Sequence, residues 1–440
     1  MFDATSIIVG IIIGAGLYEV TPDIARCVTD LPGLVGVWAL GGVAAVIGAL
    51  CYAELVGRFP LVGGDYIFLS RAYGKKMAFV YAWAELWVVR PGSIGAVSYV
   101  FARYANQLLP LGSGPQSLVL YATGAIVVLS IVNVLGVREG KWTQNLLTLA
   151  KVGGLLMIFA YAWLGPTAAV KEVSAVVTPD FKRAMILVMF AYGGWSDVAY
   201  VAAEVRDARR NVLLALLLGI ALVTLIYIAA NLSFVHVLGL AGLQNAQAVA
   251  TEMLAARGAE RASQLVAALI CVSTLGAING QIFTGARIYY ALGEEQPLYS
   301  RLGRWSRRFG TPAAAIMLQG AITLVPVIAF GLNAEGFGRL INFTTPVFWF
   351  FFALVGMSLF VLRHADVGQA GGFRVPWYPL LPLAFCLSSV FMLYASLTYA
   401  IEHRSSEALW SVIIMAVGYA LSFYTPQSKP ERRRRKKKKR

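Results

Sequence analysis

An all-α polytopic membrane protein with twelve transmembrane helices is the fold class this 440-residue sequence predicts, and three observations carry the prediction. Hydrophobic residues make up 58% of the chain and charged residues only 13%, against roughly a quarter charged in soluble proteins. The mean hydropathy is +0.69. Apolar stretches long enough to cross a bilayer recur along the chain, separated by Gly, Pro and charged clusters. At about 20 residues per crossing, twelve crossings need about 240 residues and leave only about 200 for loops and termini. That composition excludes a water-soluble enzyme.

The stretches fall at about 5–27, 33–57, 76–109, 117–135, 143–165, 183–204, 212–238, 262–293, 312–332, 336–361, 376–400 and 407–425. The chain opens Met1-Phe2-Asp3-Ala4 and soon turns apolar, with no basic leader and no small-residue cleavage site, so the first stretch reads as a retained helix rather than a signal peptide. The third and eighth exceed the thickness of a bilayer and should tilt or project from it. An even number of crossings puts both termini on one side. The loops of that side hold sixteen Lys and Arg and the opposite loops nine, which places the termini in the cytoplasm of a cell membrane, plasma or inner.

The net charge of +15 invites a nucleic-acid partner until it is located. Residues 429–440 hold ten Lys/Arg and one Glu, so a short basic tail carries most of it and no nucleic acid is expected. Arg432 to Arg440 would lie just past the last helix, where an anionic leaflet offers about 1 kcal/mol per basic residue. A membrane-surface clamp and a merely solvated charge run are both open readings.

Two helices are interrupted by glycine at mid-depth. The first carries Ile11-Ile12-Ile13-Gly14-Ala15-Gly16-Leu17-Tyr18, and the sixth carries Phe190-Ala191-Tyr192-Gly193-Gly194-Trp195-Ser196. Either alone is ordinary packing glycine. Together they lie five helices apart, an odd offset that inverts the second unit, which is the pattern of an inverted five-plus-five repeat with a midplane site. The first repeat spans 1–165 and the second 183–361, followed by an added pair at 376–425 and the basic tail at 426–440. A broken helix in lipid exposes backbone groups that something polar must satisfy. The half-helix after Gly16 starts with free N–H groups and a positive dipole end that suit a carboxylate. Carbonyls near Ile12, Phe190 and Gly193 suit an ammonium. A zwitterion such as a free amino acid fits both.

The chain resembles the L-type amino acid transporter branch of the amino acid, polyamine and organocation superfamily, from about residue 5 to 400. Ile12-Ile13-Gly14-Ala15-Gly16-Leu17 is similar to that family's first-helix motif. Leu50-Cys51-Tyr52-Ala53-Glu54-Leu55, Phe59-Pro60 and Gly63-Gly64-Asp65-Tyr66 are similar to its helix-two and loop signature. Arg90-Pro91, the helix-six segment, and Ile278-Asn279-Gly280 with Phe283-Thr284 and Arg287 follow in the expected order. The resemblance implies a five-plus-five (LeuT-type) fold with two added helices, moving amino acids by alternating access, commonly as sodium-independent exchange. It places the substrate carboxylate on the amides of Ala15 and Gly16 beside Gly14, the ammonium on carbonyls of Ile12, Phe190 and Gly193, and an aromatic gate at Phe190. Ala15 stands where the family usually has Ser, which leaves the carboxylate to backbone or water, and Ser196 stands where it often has Asn, which leaves the side-chain pocket open.

Lys151 lies about 12 Å into the fifth helix, deeper than its side chain can readily snorkel, and an intramembrane ammonium is a functional candidate by default. By the resemblance it stands in for the sodium ion of coupled relatives and ties helices one and five together. Arg90, Glu54, Glu85 and Glu204 read as structural or gate-face groups; Asp197, beside the break, could favour cationic side chains but reads first as a solvated vestibule carboxylate. Cys27, Cys51, Cys271 and Cys386 are scattered and suggest neither a disulfide framework nor a metal site. His236, His364 and His403 form no motif, and no nucleophile elbow or phosphate loop is present, so neither enzyme, cofactor nor ATP-driven pump is expected. The loop Leu109–Gln116 lacks the cysteine by which animal members of the branch join a glycoprotein heavy chain, so none is expected to be disulfide-linked here.

The expected function is secondary active transport of amino acids, as sodium-independent exchange of neutral L-amino acids. Proton-coupled symport is the alternative within the class. A receptor that binds amino acids without moving them is the alternative outside it.

Overall fold

The computed structural model describes residues 16–59, 61, 63–136, 141–165, 177–197, 199, 208–296, 299–332, 336–365 and 372–424. Among them the regular elements are helices, apart from one isolated β-bridge between Ser306 and Thr311. α1 (Gly16–Arg26) precedes α2 (Leu31–Arg58), whose start is fixed by the Asp30 side chain accepting from Gly33 N at 2.8 Å and by Pro32 in the first turn. A short helix α3 (Asp65–Tyr73) leads into α4 (Lys75–Ala84), a π-helical turn (Glu85–Val89) and α5 (Arg90–Leu108), which run on as one rod. Pro91 has no N–H to donate, and just ahead of it Arg90 N bonds back to Glu85 O, five residues away.

α6 (Pro115–Val134) and α7 (Lys141–Leu164) follow, then α8 (Phe181–Ala191), capped by Asp180, which accepts from Arg183 N at 3.0 Å. α9 (Ala208–Asn245) kinks at Gly239, where φ is 71°. α10 (Val249–Ala256), α11 (Glu260–Glu295), α12 (Ala313–Gly331), α13 (Gly336–His364), α14 (Leu380–Glu402) and α15 (Ser406–Ser422) complete the chain order. Seven of these helices, α2, α6, α9, α11, α12, α13 and α14, are long and apolar enough to cross a membrane. Their outer faces carry exposed Leu120, Val128 and Ile131 on α6 and Leu383, Leu387 and Val390 on α14, a surface suited to lipid rather than water.

Connections gather at two ends. At one end Thr178 N and Asp180 N donate to the carbonyls of Arg26 and Cys27, Gln244 donates to Ala25 O, and Arg103 to Gln247 O. At the other, Glu54 accepts from Arg363 and from Val375 N, Thr311 donates to Val134 O, and Lys76 sits 4.5 Å over the Phe423 ring. α11 has 36 residues and is therefore about 54 Å long, in keeping with the excess length expected of the eighth apolar stretch. Two elements depart from expectation: α3 and α10 are too short and too mixed in polarity to register as apolar stretches. The expected basic tail at 432–440 lies outside the described residues.

Candidate functional site

α8 stops at Ala191. Tyr192 N still bonds to Val188 O, but Gly193 N turns back to Phe190 O at 3.0 Å, Gly194 takes φ +97°, and Trp195–Asp197 form a single 3-10 turn. A side chain at Gly194 would be strained there. The break is held in place by aromatic side chains. Tyr227 on α9 donates to Ala191 O (3.1 Å), and Tyr192 donates to Trp38 O (3.0 Å) on α2. Trp195 is almost wholly buried among Tyr52, Phe352 and Phe385.

Of the residues expected at the site, Gly16, Phe190, Gly193 and Ser196 are described, and Ile12, Gly14 and Ala15 lie outside the described residues. The structure brings Gly16 to the end of α8: a methyl group placed on it would lie 3.4 Å from Ala191 Cα and 3.7 Å from Phe190 Cε1. The Phe190 ring packs edge-on against Phe337, 5.6 Å between centroids. Ser196 is buried in the 3-10 turn. The Phe190 carbonyl already accepts from Gly193 N, so any further donor must use its second lone pair. Lys151 is partly buried on α7, a helix that packs on α9 and α11.

Phe337 also lines a cavity of 1220 Å³ that opens at the end of the bundle bearing Arg26, Arg103 and Asp180. Its lining includes three ion pairs: Asp23 with Arg26 (2.6 Å), Glu19 with Arg103 (2.8 Å) and Lys182 with Glu402 (3.0 Å).

On the other side of the break lies a buried polar cluster that sequence reasoning did not assemble. Arg90 Nε donates to Glu85 Oε2 at 2.8 Å, which the π turn makes possible by stacking residues five apart. Arg90 Nη2 reaches Asp197 Oδ1 at 3.3 Å, and Nη1 reaches Thr284 Oγ1 at 3.5 Å. One guanidinium thus joins α5, the turn after α8, and α11. Asp197 is therefore ion-paired, not the solvated vestibule carboxylate expected from sequence. Tyr81 Oη lies 3.2 Å from Glu85 Oε1 and 3.5 Å from Asp65 Oδ2. Asp65 begins α3, between two long helices, and is 5% exposed. Burial pushes its carboxyl up to about 8, with Glu85 and Asp197 adding to the rise and Tyr52 and Arg90 opposing it. The cysteines are buried and free, and no group of metal-ligating side chains occurs among the described residues.

The family model described as amino acid permease matches residues 1–419. The chain is 33% identical over 442 residues to the b(0,+)-type amino acid transporter 1 of Homo sapiens, covering 96% of this chain and 86% of that protein. It is 26% identical to the serine/threonine exchanger SteT of Bacillus subtilis, over 90% of each chain. To the large neutral amino acids transporter small subunit 2 of Homo sapiens it is 29% identical, over 90% of this chain and 75% of that one.

Proposed function

The chain belongs to the amino acid permease family, and from that membership we propose that it exchanges neutral L-amino acids across a cell membrane by alternating access, without sodium. Amino acid transport by a multi-pass membrane protein is common ground for the relatives above. The finer reading rests on the site. Its single strongest support is the meeting of Gly16 with Phe190 and Ala191 where α8 breaks, next to Phe337 in the cavity wall. In this reading the Ala15 and Gly16 amides, flanked by Gly14, hold the substrate carboxylate. Carbonyls of Ile12, Phe190 and Gly193 hold its ammonium, Ser196 borders the side chain, and Phe190 closes over it against Phe337. Lys151 takes the place of a coupling ion.

The proposed topology has twelve crossings: inverted repeats at 1–165 and 183–361, an added pair at 376–425, and cytoplasmic termini. Two observations support it. Alternate connections gather at opposite ends of the bundle, and Phe423 meets Lys76 at the end opposite the cavity. The cavity then faces outward. The carrier acts without a disulfide-linked heavy chain, and the tail at 432–440 lies on anionic lipid.

Purified protein in liposomes should accelerate entry of a labelled neutral amino acid when unlabelled amino acid is inside. Absence of such stimulation with any of the twenty amino acids, or dependence on sodium, would refute exchange as described. Saturable binding without flux would instead identify a receptor.

A further inference from the structure

We infer that Asp65 is a proton-binding residue whose protonated form closes a polar latch, Asp65–Tyr81–Glu85–Arg90–Asp197, on the side of the break away from the cavity. The inference deepens the transport reading and rests on it.

Hydrogen-bond accounting comes first. Tyr81 Oη sits within reach of two carboxylates, 3.2 Å from Glu85 Oε1 and 3.5 Å from Asp65 Oδ2, yet a phenol has one hydrogen to give. Donation to Glu85, at the shorter distance, leaves oxygen lone pairs facing Asp65. With that hydrogen given to Glu85, the second contact is attractive when Asp65 carries a proton and donates it to Tyr81. Tyr52 is the other donor beside the Asp65 carboxyl and favours its ionised form; against it stands burial, with Asp65 only 5% exposed, a heavy cost for an ionised carboxylate and a lesser one for a neutral acid.

Charge counting agrees. Three carboxylates, Asp65, Glu85 and Asp197, face one guanidinium, Arg90, which already pairs with Glu85 and Asp197. The other polar neighbours are neutral: Tyr52 from α2, and Thr284 and Tyr289 from α11, the latter donating to Glu85 O at 3.1 Å. α13 presents the Phe351 ring to Tyr81. A third buried negative charge therefore has no cation left to meet it.

The consequence is mechanical. Arg90 fastens the turn after α8 to α5 and α11, and opening toward the far side requires Asp197 to leave Arg90. With Asp65 neutral, Tyr81 links it to Glu85 and the latch is complete. With Asp65 ionised, repulsion of Glu85 and Asp197 loosens it. Opening on that side is thus linked to loss of a proton. Since one proton separates the two states, their ratio changes up to about tenfold per pH unit below the midpoint, where the latched state holds the proton and the open one does not, and levels off above it.

The test uses the full-length protein in two formats, at matched pH on both sides, from about pH 6 to about pH 9. In detergent, the wild-type melting temperature should fall as pH rises toward the midpoint near 8 and level off above it, because an acid whose folded-state value is raised loses its stabilising contribution between its unfolded and its folded value. Asp65→Asn should flatten that profile and be the more stable protein at the alkaline end. Tyr81→Phe leaves every charge in place and should move the midpoint down. In liposomes, wild-type exchange should rise through the same midpoint, and Asp65→Asn should hold the low-pH rate throughout. A flat wild-type melting profile, or one that persists unchanged in Asp65→Asn, overturns the proposal. Absence of exchange at every pH with the melting behaviour intact would sink the transport reading and leave the proton site standing.

Discussion

Replacing Gly48 by alanine tests whether packing holds the break in α8. A β-carbon at Gly48 on α2 would lie 2.6 Å from Trp195 Cη2, 2.8 Å from Trp195 Cζ2 and 2.9 Å from Phe385 Cε2. None of these atoms can easily retreat, because Trp195 is wedged against Tyr52 (5.0 Å between centroids) and Phe352 (5.7 Å) and is only 3% exposed. Overpacking of this kind costs about 1–3 kcal/mol, or roughly fivefold to 150-fold in the folded-to-unfolded ratio. The two closest indole atoms are absent from phenylalanine. Trp195→Phe should therefore be costly alone yet relieve Gly48→Ala, giving a favourable coupling of about 1–2 kcal/mol in a double-mutant cycle. The folded fraction against SDS concentration measures the cycle, and amino acid counterflow measures the site. Exchange should fall in Gly48→Ala and partly return in the double variant, since the strain bears on the turn holding Ser196. Additivity within about 0.5 kcal/mol, with exchange unchanged in Gly48→Ala, would refute the reasoning.

Further perturbations address separate parts of the molecule. Tyr227→Phe removes the donor to Ala191 O and should cost about 1–3 kcal/mol in SDS unfolding, while raising the exchange KM more than it lowers the maximal rate. Glu54→Ala strands the guanidinium of Arg363 and the amide of Val375 and should destabilise by about 3–5 kcal/mol. Glu54→Leu combined with Arg363→Met should recover much of that loss in the same unfolding assay. Ala15→Ser restores the hydroxyl common in the family and should lower the exchange KM by about fivefold, equivalent to about 1 kcal/mol, read by competition in liposomes.

Much of the molecule was legible in the sequence because hydropathy and glycine report local constraints. Where they fall within the described residues the apolar stretches are largely helical, and Gly193-Gly194 marked the end of α8 to within two residues of Ala191. The polar cluster was illegible for the opposite reason. Arg90 and Asp197 are 107 positions apart, and nothing local to either names the other. Arg90-Pro91 hinted at a bend, but not that a π turn would place Glu85 under Arg90. Asp65 read as part of a loop motif. Its significance appeared only when α3 folded back beside Tyr81, a placement set by tertiary packing and by no periodicity. The helix-one half of the proposed site, Ile12, Gly14 and Ala15, lies outside the described residues, and its reading comes from the sequence alone.

The three ion pairs that line the cavity bear on how a solute would be captured there. Each joins opposite charges at contact distance, so its field falls off as that of a dipole and is further screened within about 8 Å at physiological ionic strength. Paired in this way, these six groups neither draw in nor turn away a solute by its net charge, and long-range steering through them is weak. Uptake rates for a zwitterion should then be nearly indifferent to added salt. In the proposed reading, selection among side chains then falls to the region between Phe337 and the end of α8, after desolvation has begun.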